Sequence, residues 1–211
     1  FGCPRKEGMI MDEGVIKFEM QHHLQNLYFS KPLQRQLQEL CRWREQFFDK
    51  EVIGCDLSRY GACYGNVSMR DERSFLISGT QTGNCRTLST ENFVRVFRYD
   101  TSRNKVWSEG PLEPSSESMT HAAVYGLSAD ITHVFHIHSA SLWQTAENLN
   151  IPLTSPQVKY GTPEMAREVK RLYRDSNLSE KKIFSMGGHE DGIISFGRSA
   201  EEAAELILQH L

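Results

Sequence analysis

The sequence predicts a single α/β domain of the α+β kind, with a central and mostly antiparallel sheet flanked by helices. Short runs of strand-forming residues occur among segments in which apolar residues recur every three or four positions. The chain has 211 residues, of which 39% are hydrophobic, and this length suffices for one domain with its own core. We expect residues 31–211 to form the domain and the polar, irregular residues 1–30 to form an N-terminal arm.

The predicted strands are separated by turns and small polar loops. One strand, MDEGVIKFE, is expected within the arm at residues 11–19. The segment DTSRN lies between two alternating runs and is typical of a hairpin turn. The other strands are predicted at SFLIS, NFVRVFRYD, NKVWS, THVFHIHS, KKIFSM and GIISFG.

Four segments are predicted to be helices, and three of them carry recognisable ends. The first begins near Pro32. In EPSSESMTHAAVYGLS, Ser115 or Ser116 can cap the start and Gly126 can end the helix. In TPEMAREVKRLYRD, Thr162 is the expected cap and the proline after it is the first helical residue. The last, SAEEAAELILQHL, is amphipathic.

Composition restricts the classes of partner. The chain has 24 Lys and Arg against 27 Asp and Glu, for a net charge of −3, so nothing in it favours a nucleic-acid or membrane-surface partner. No apolar run approaches the roughly 18 residues that span a bilayer. We expect the five cysteines to be reduced thiols of a cytoplasmic protein, because they show no CxxC spacing: Cys3, Cys41, Cys55, Cys63 and Cys85.

Two histidines stand one residue apart in the apolar strand ITHVFHIHS. Residues i and i+2 of a strand point to the same face, so His136 and His138 share one face while Phe135 and Ile137 share the other. Two imidazoles placed this way can converge on one Zn²⁺, although HxH is only half of a tetrahedral site. The alternative is a pair of hydrogen-bonded core histidines.

Three small polar loops and a third histidine accompany this strand. Asn66 follows a glycine in one loop, Ser78 and Gly79 lie in a second, and two serines followed by Glu117 begin a helix, where free N–H groups favour an anion. Each loop alone could be an ordinary turn, and Glu117 alone could be an acid at a helix start. His189 precedes the strand GIISFG.

These motifs together resemble one family. GNVSMR, FLISGTQTG, PSSESMTHAAVY, the HIH strand, YGTPEMA and GHEDGIISFGRSAEEA occur in the order seen in the class II aldolase/adducin family, from about Leu33 to Leu211. The resemblance implies a central antiparallel sheet flanked by helices, and a homotetramer with active sites between subunits.

The resemblance also implies roles for individual residues. His136 and His138 match the zinc ligands of the family, and Glu117 matches its catalytic acid or base. The third ligand departs from the family, which usually has a histidine directly before a glycine; here Asp191 precedes Gly192. We expect His189 to be the third ligand, with Asp191 as the alternative. The residues that match the loops holding the substrate phosphate are Asn66, Ser78, Gly79, Ser115 and Ser116.

The expected activity is therefore Zn²⁺-dependent retro-aldol cleavage of a phosphorylated ketose, or a related hydroxycarbonyl compound, through an enediolate. Manganese or cobalt could replace zinc. Epimerisation and dehydration of a sugar phosphate fit the same site, and the metal-free adducin branch of the family would instead make the chain a binding module. The related aldolases use a tyrosine to protonate the leaving group, for which Tyr160 and Tyr173 are the candidates.

Overall fold

The computed structural model describes residues 14–211. The strands are β1 (Glu19–Leu24), β2 (Gly54–Asp56), β3 (Ala62–Tyr64), β4 (Asn66–Asp71), β5 (Ser74–Ser78), β6 (Phe93–Asp100), β7 (Lys105–Gly110), β8 (His133–His138), β9 (Ile183–Ser185) and β10 (Gly192–Gly197). The helices are α1 (Lys31–Asp49), α2 (Ser118–Tyr125), α3 (Ala140–Thr145), α4 (Pro163–Asp175), α5 (Leu178–Lys181) and α6 (Ala200–Leu208).

Eight of these strands form one sheet in the order β1-β7-β6-β5-β4-β8-β10-β9, while β2 and β3 pair separately. Every neighbouring pair in the large sheet is antiparallel except β1 with β7, which confirms the predicted architecture. The strand expected at residues 11–19 is displaced: residues 11–13 lie outside the described part, and the strand begins at Glu19, opposite Lys105. The division into an arm and a domain stays a prediction, although β1 extends the sheet.

Helices cover both faces of the sheet. On one face, Met119 of α2 and Val169 of α4 pack in a buried cluster with Val134 of β8. On the other face, α1 and α6 pack with Phe135 and Ile137 of the same strand. The alternation of β8 therefore sends Val134, and with it both histidines of the HIH motif, towards α2 and α4.

Three of the predicted helix ends are confirmed and one is wrong. The first helix, α1, begins at Lys31, next to Pro32 as expected. The Thr162 hydroxyl accepts a hydrogen bond from the Met165 amide, and Gly126 ends α2, as expected. However, α2 begins at Ser118, with Glu117 rather than Ser115 or Ser116 in the capping position. The two serines instead form a turn before the helix, in which the Ser118 amide and hydroxyl both donate to the Ser115 carbonyl.

The expectation that all cysteines are reduced thiols is wrong for one pair. The β2–β3 register places Cys55 directly opposite Cys63, with Cα atoms 3.8 Å apart, and the two sulfur atoms form a disulfide. Sequence spacing missed it because the pairing depends on the hairpin. Cys41 and Cys85 are free thiols, and Cys3 lies outside the described residues. Within residues 14–211 no helix has the length and apolar character needed to cross a membrane.

Candidate metal centre

Three imidazoles meet on the side of the sheet that faces α2 and α4. His136 and His138 project from β8 and are almost completely buried, at 0% and 4% exposure. His189 lies in the turn between β9 and β10, and its Nε2 atom is 3.1 Å from Nε2 of His138 and 3.3 Å from Nε2 of His136. The histidine pair and the distant His189 are thus brought together.

The turn that carries His189 is closely packed. The His189 amide donates to the Met186 carbonyl, and the Gly192 amide donates to the His189 carbonyl. A Cβ atom at residue 192 would lie only 2.5 Å from Cδ2 of His189, so a side chain there would displace the imidazole. Gly192, the first residue of β10, therefore has a steric role, since it leaves space for a ring supplied from three residues earlier.

The three imidazoles are uncharged at neutral pH. Burial lowers the pKa of His136 to about 4 and holds the pKa values of His138 and His189 well below the ordinary value. His136 Nδ1 lies 3.2 Å from the Ile193 carbonyl oxygen, to which its N–H donates. That bond leaves the Nε2 lone pair of His136 directed at the other two rings, as a metal ligand requires.

Glu117 completes the cluster from the start of α2. Its side chain is fully buried, and Oε1 lies 3.4 Å from Nε2 of His189 and 3.9 Å from Nε2 of His136. The helix start directs this carboxylate at the same point as the imidazoles. Burying a carboxylate is costly unless positive charge or hydrogen bonds balance it.

The donor set suits a divalent transition metal. A tetrahedral Zn²⁺ with bonds of about 2.1 Å separates its ligand atoms by about 3.4 Å, close to the observed Nε2 separations. Three neutral imidazoles leave the fourth position open, which is typical of catalytic rather than structural zinc sites. The residues present therefore fit such an ion.

Asp191, the alternative third ligand, is engaged elsewhere. Its Oδ2 accepts a hydrogen bond from the Tyr60 hydroxyl and lies 2.5 Å from Nη2 of Arg59. Its backbone has a φ of 64°, in the left-handed region that few non-glycine residues adopt. Among the three imidazoles and this carboxylate, the geometry groups His189 with the pair from β8.

A narrow cavity next to the histidines is lined by the predicted phosphate loops. Asn66, Gly79, Ser115 and Ser116 all border it, so the structure brings together four of the five residues assigned to these loops. Asn66 pairs directly with His136 across β4 and β8. Ser78 does not line the cavity, because its hydroxyl accepts a hydrogen bond from the Val67 amide within the sheet.

The structure separates the two candidate tyrosines. The Tyr160 ring centroid lies 4.6 Å from that of His189, and the Tyr160 hydroxyl makes hydrogen bonds with the Val15 amide and carbonyl. Tyr173, a residue of α4, is instead partly buried at the edge of the core. Sequence reasoning missed Tyr60, whose ring packs on His138 at 5.0 Å; no spacing signal connects the two residues.

Comparison with known proteins identifies the family of the chain. Residues 60–210 match the family model described as the Class II Aldolase and Adducin N-terminal domain. The chain belongs to the class II aldolase/adducin family. The match covers β3 to α6, and with them every residue of the cluster. No curated protein sequence matches the chain.

Solved structures share the class II aldolase fold at low sequence identity. YgbL from Klebsiella pneumoniae, whose reaction is named only as aldolase, epimerase or decarboxylase, has a TM-score of 0.61 and 19% identity over 84% of this chain and 85% of its own. L-fuculose-1-phosphate aldolase from Thermus thermophilus has a TM-score of 0.55 and 19% identity over 83% and 94% of the two chains. A sugar-phosphate aldolase from Thermotoga maritima has a TM-score of 0.57 and 13% identity over 84% and 95%.

Proposed function

We propose that this protein is a metal-dependent lyase that cleaves a phosphorylated ketose, or a related hydroxycarbonyl compound, by a retro-aldol reaction. The observation that carries the proposal is the convergence of three neutral, buried imidazoles on the carboxylate of Glu117, with the small-residue cavity next to them. Family membership and the sugar-phosphate aldolases among the similar structures support the substrate class.

In this proposal, His136, His138 and His189 hold one divalent ion, for which zinc is the first candidate. When bound, such an ion supplies Lewis-acid polarisation of a substrate carbonyl and stabilises the negative charge that develops on its oxygen. Glu117 transfers the proton, since its carboxylate is directed at the same point and is shielded from solvent. The carboxylate and the ion thus have separate tasks.

The substrate phosphate is proposed to lie in the cavity formed by the three loops. Asn66, Gly79, Ser115 and Ser116 offer amide and hydroxyl groups there, and Ser78 holds the second loop to β4. Phosphate binding fixes the position of the reacting carbons relative to Glu117. Holding the substrate in this way makes its encounter with the catalytic group an effectively intramolecular step. Four small residues also leave room for the phosphate oxygens.

The same site can epimerise or dehydrate a sugar phosphate, so the assay must separate these reactions. Incubating the metal-loaded chain with a panel of phosphorylated ketoses, followed by NMR and mass spectrometry, distinguishes them. Cleavage gives two smaller products, one of them an aldehyde; epimerisation gives an isomer of equal mass; dehydration gives a product that lacks one water. The proposal expects the aldehyde, and either of the other two products would change the reaction class.

A binding role of the adducin kind is the contrasting function. We expect the purified chain to carry about one divalent ion, measured by inductively coupled plasma mass spectrometry, and to release aldehyde only while that ion is present. A chain that binds no metal after metal-replete preparation would support the binding module. A homotetramer and a cytoplasmic location belong to the same proposal, and sedimentation equilibrium tests the first of them.

A further inference from the structure

The segment that precedes β1 lies against the candidate metal centre. The Tyr160 hydroxyl accepts a hydrogen bond from the Val15 amide and donates one to the Val15 carbonyl, both at 3.1 Å. Phe18 is 94% buried in the core beneath this face of the sheet. Gly14 borders the same cavity as the phosphate loops. Residues 14–18 therefore form part of the wall of the site.

Lys17 is the charged residue of this segment. Its Nζ atom lies 3.2 Å from the centroid of the Tyr160 ring, and the centroid of that ring lies 4.6 Å from that of His189. The backbone is fixed at this point, because the Asn104 side-chain amide donates to the Lys17 carbonyl at 2.6 Å. Lys17, Tyr160 and His189 thus follow one another towards the metal centre.

The turn formed by Ser115 and Ser116 also lies near this lysine. Gly161 has a φ of 66°, and a Cβ atom at this position would lie 3.0 Å from the Ser116 carbonyl oxygen and 3.8 Å from Cβ of Lys17. Gly161 is therefore the small residue between Lys17 and the serine turn that leads into α2. A side chain there would crowd the Ser116 carbonyl oxygen.

The proposed substrate carries a phosphate group, whose negative charge is stabilised by a nearby cation. Among the described residues that line the cavity there is neither lysine nor arginine, and the nearby Glu117 is acidic. A phosphate dianion bound by neutral groups alone would face that carboxylate without a compensating side-chain charge.

We propose that Lys17 binds the substrate phosphate and so determines the preference of this site for phosphorylated compounds. This inference rests on the proposed function, because it assigns the anionic group of that substrate. Lys17 lies before residues 60–210, the range that matches the family model. Tyr160 is then a positioning residue, which holds the segment through Val15 and carries the ammonium on its ring.

The test is a calorimetric titration of the metal-loaded full chain with inorganic phosphate. Lys17→Gln should weaken phosphate binding roughly 10- to 100-fold, as expected for loss of a charged hydrogen-bond donor, while metal content stays unchanged. Lys17→Arg should restore most of the affinity. Lys170→Gln, on an exposed position of α4, removes the same charge and should bind phosphate like the unmodified chain.

The outcomes separate this inference from the proposed function. Equal phosphate affinity in Lys17→Gln and the unmodified chain would overturn it, as would an equal loss in Lys17→Gln and Lys17→Arg, which would indicate a packing role. Absence of phosphate binding in the unmodified chain would also overturn it. A Lys17-dependent phosphate site in a chain that cleaves no ketose phosphate would instead contradict the proposed reaction. Circular dichroism melting verifies that each variant is folded.

Discussion

Nε2 of His138 and Nε2 of His189 lie 3.1 Å apart, although 51 residues separate the two histidines in the chain. One comes from a sheet strand and the other from the turn before the adjacent strand, β10, which is antiparallel to β8. The register places Gly192 opposite His138, so the turn ends beside the histidine pair. The candidate centre is thus built by strand pairing, and its predicted properties can be tested residue by residue.

The histidine pair should be required for metal binding but not for folding. We expect His136→Ala or His138→Ala to remove most of the bound metal and leave a folded chain, since each variant loses one of three ligands. Metal content by mass spectrometry and far-ultraviolet circular dichroism measure the two effects. His23→Ala, at an exposed position of β1, is the control and should retain metal. Full metal content in either core variant would refute the assignment.

The third ligand is expected to be His189 rather than Asp191. His189→Ala should lower metal affinity much more than Asp191→Asn, because Asp191 is already paired with Arg59 and Tyr60 and acts on the site only through them. Competition with a chromophoric chelator measures both affinities on the same preparation. If Asp191→Asn had the larger effect, the ligand role would move to that carboxylate.

Gly192 should be required for the position of the His189 ring. In Gly192→Ala the new Cβ atom would overlap Cδ2 of His189, so we expect metal affinity to fall roughly 10- to 100-fold in a folded chain. Gly126→Ala is a suitable control, because its Cβ would meet only carbonyls of its own helix, at 3.3 and 3.4 Å. Unchanged affinity in Gly192→Ala would mean that the ring can move aside and still bind.

Glu117 should contribute to catalysis and not to metal retention. We expect Glu117→Gln to keep the metal and lose roughly 10²–10⁴ in turnover, the usual contribution of a general base, because the amide keeps the shape but cannot accept the proton. Turnover and metal content are measured together once a substrate is found. Glu164→Gln is the control, since Glu164 is an exposed acid in the first turn of α4. Near-normal turnover in Glu117→Gln would leave Glu117 with a structural role.

Burial of His136 should make the metal-free chain less stable in acid. Its pKa is about 4 in the folded chain against an ordinary value of 6.5, so between these values the unfolded chain binds more protons. The stability is therefore fully present above pH 6.5 and declines as the pH falls towards 4, by about 3 kcal/mol for this one histidine. Urea unfolding of chelator-treated protein at pH 7 and pH 4.5 measures the decline, which should be smaller in His136→Asn. Equal declines in the unmodified chain and in His136→Asn would show that His136 is not the source of the acid sensitivity.

The sequence by itself predicted most of the fold, and its resemblance to the family named the three histidines and Glu117 of the candidate metal centre. Local patterns were enough for β8, for the Thr162 cap and for the shared face of His136 and His138, because the two-residue period of a strand fixes which side chains point together. The order of the motifs predicted which loops hold the substrate phosphate, and a catalytic role for Glu117, before any contact between them was known.

Contacts between distant segments were decided only by the tertiary structure. Strand pairing, not spacing, brought His189, the expected third ligand, beside His136 and His138, and it placed Cys55 opposite Cys63. The same is true of the segment before β1: local composition made it an irregular arm, whereas hydrogen bonds between Val15 and Tyr160 bring Lys17 onto the Tyr160 ring, which packs on His189. Periodicity reports only the direction of a side chain within its own element, while the site depends on which elements the pairing of the sheet brings together.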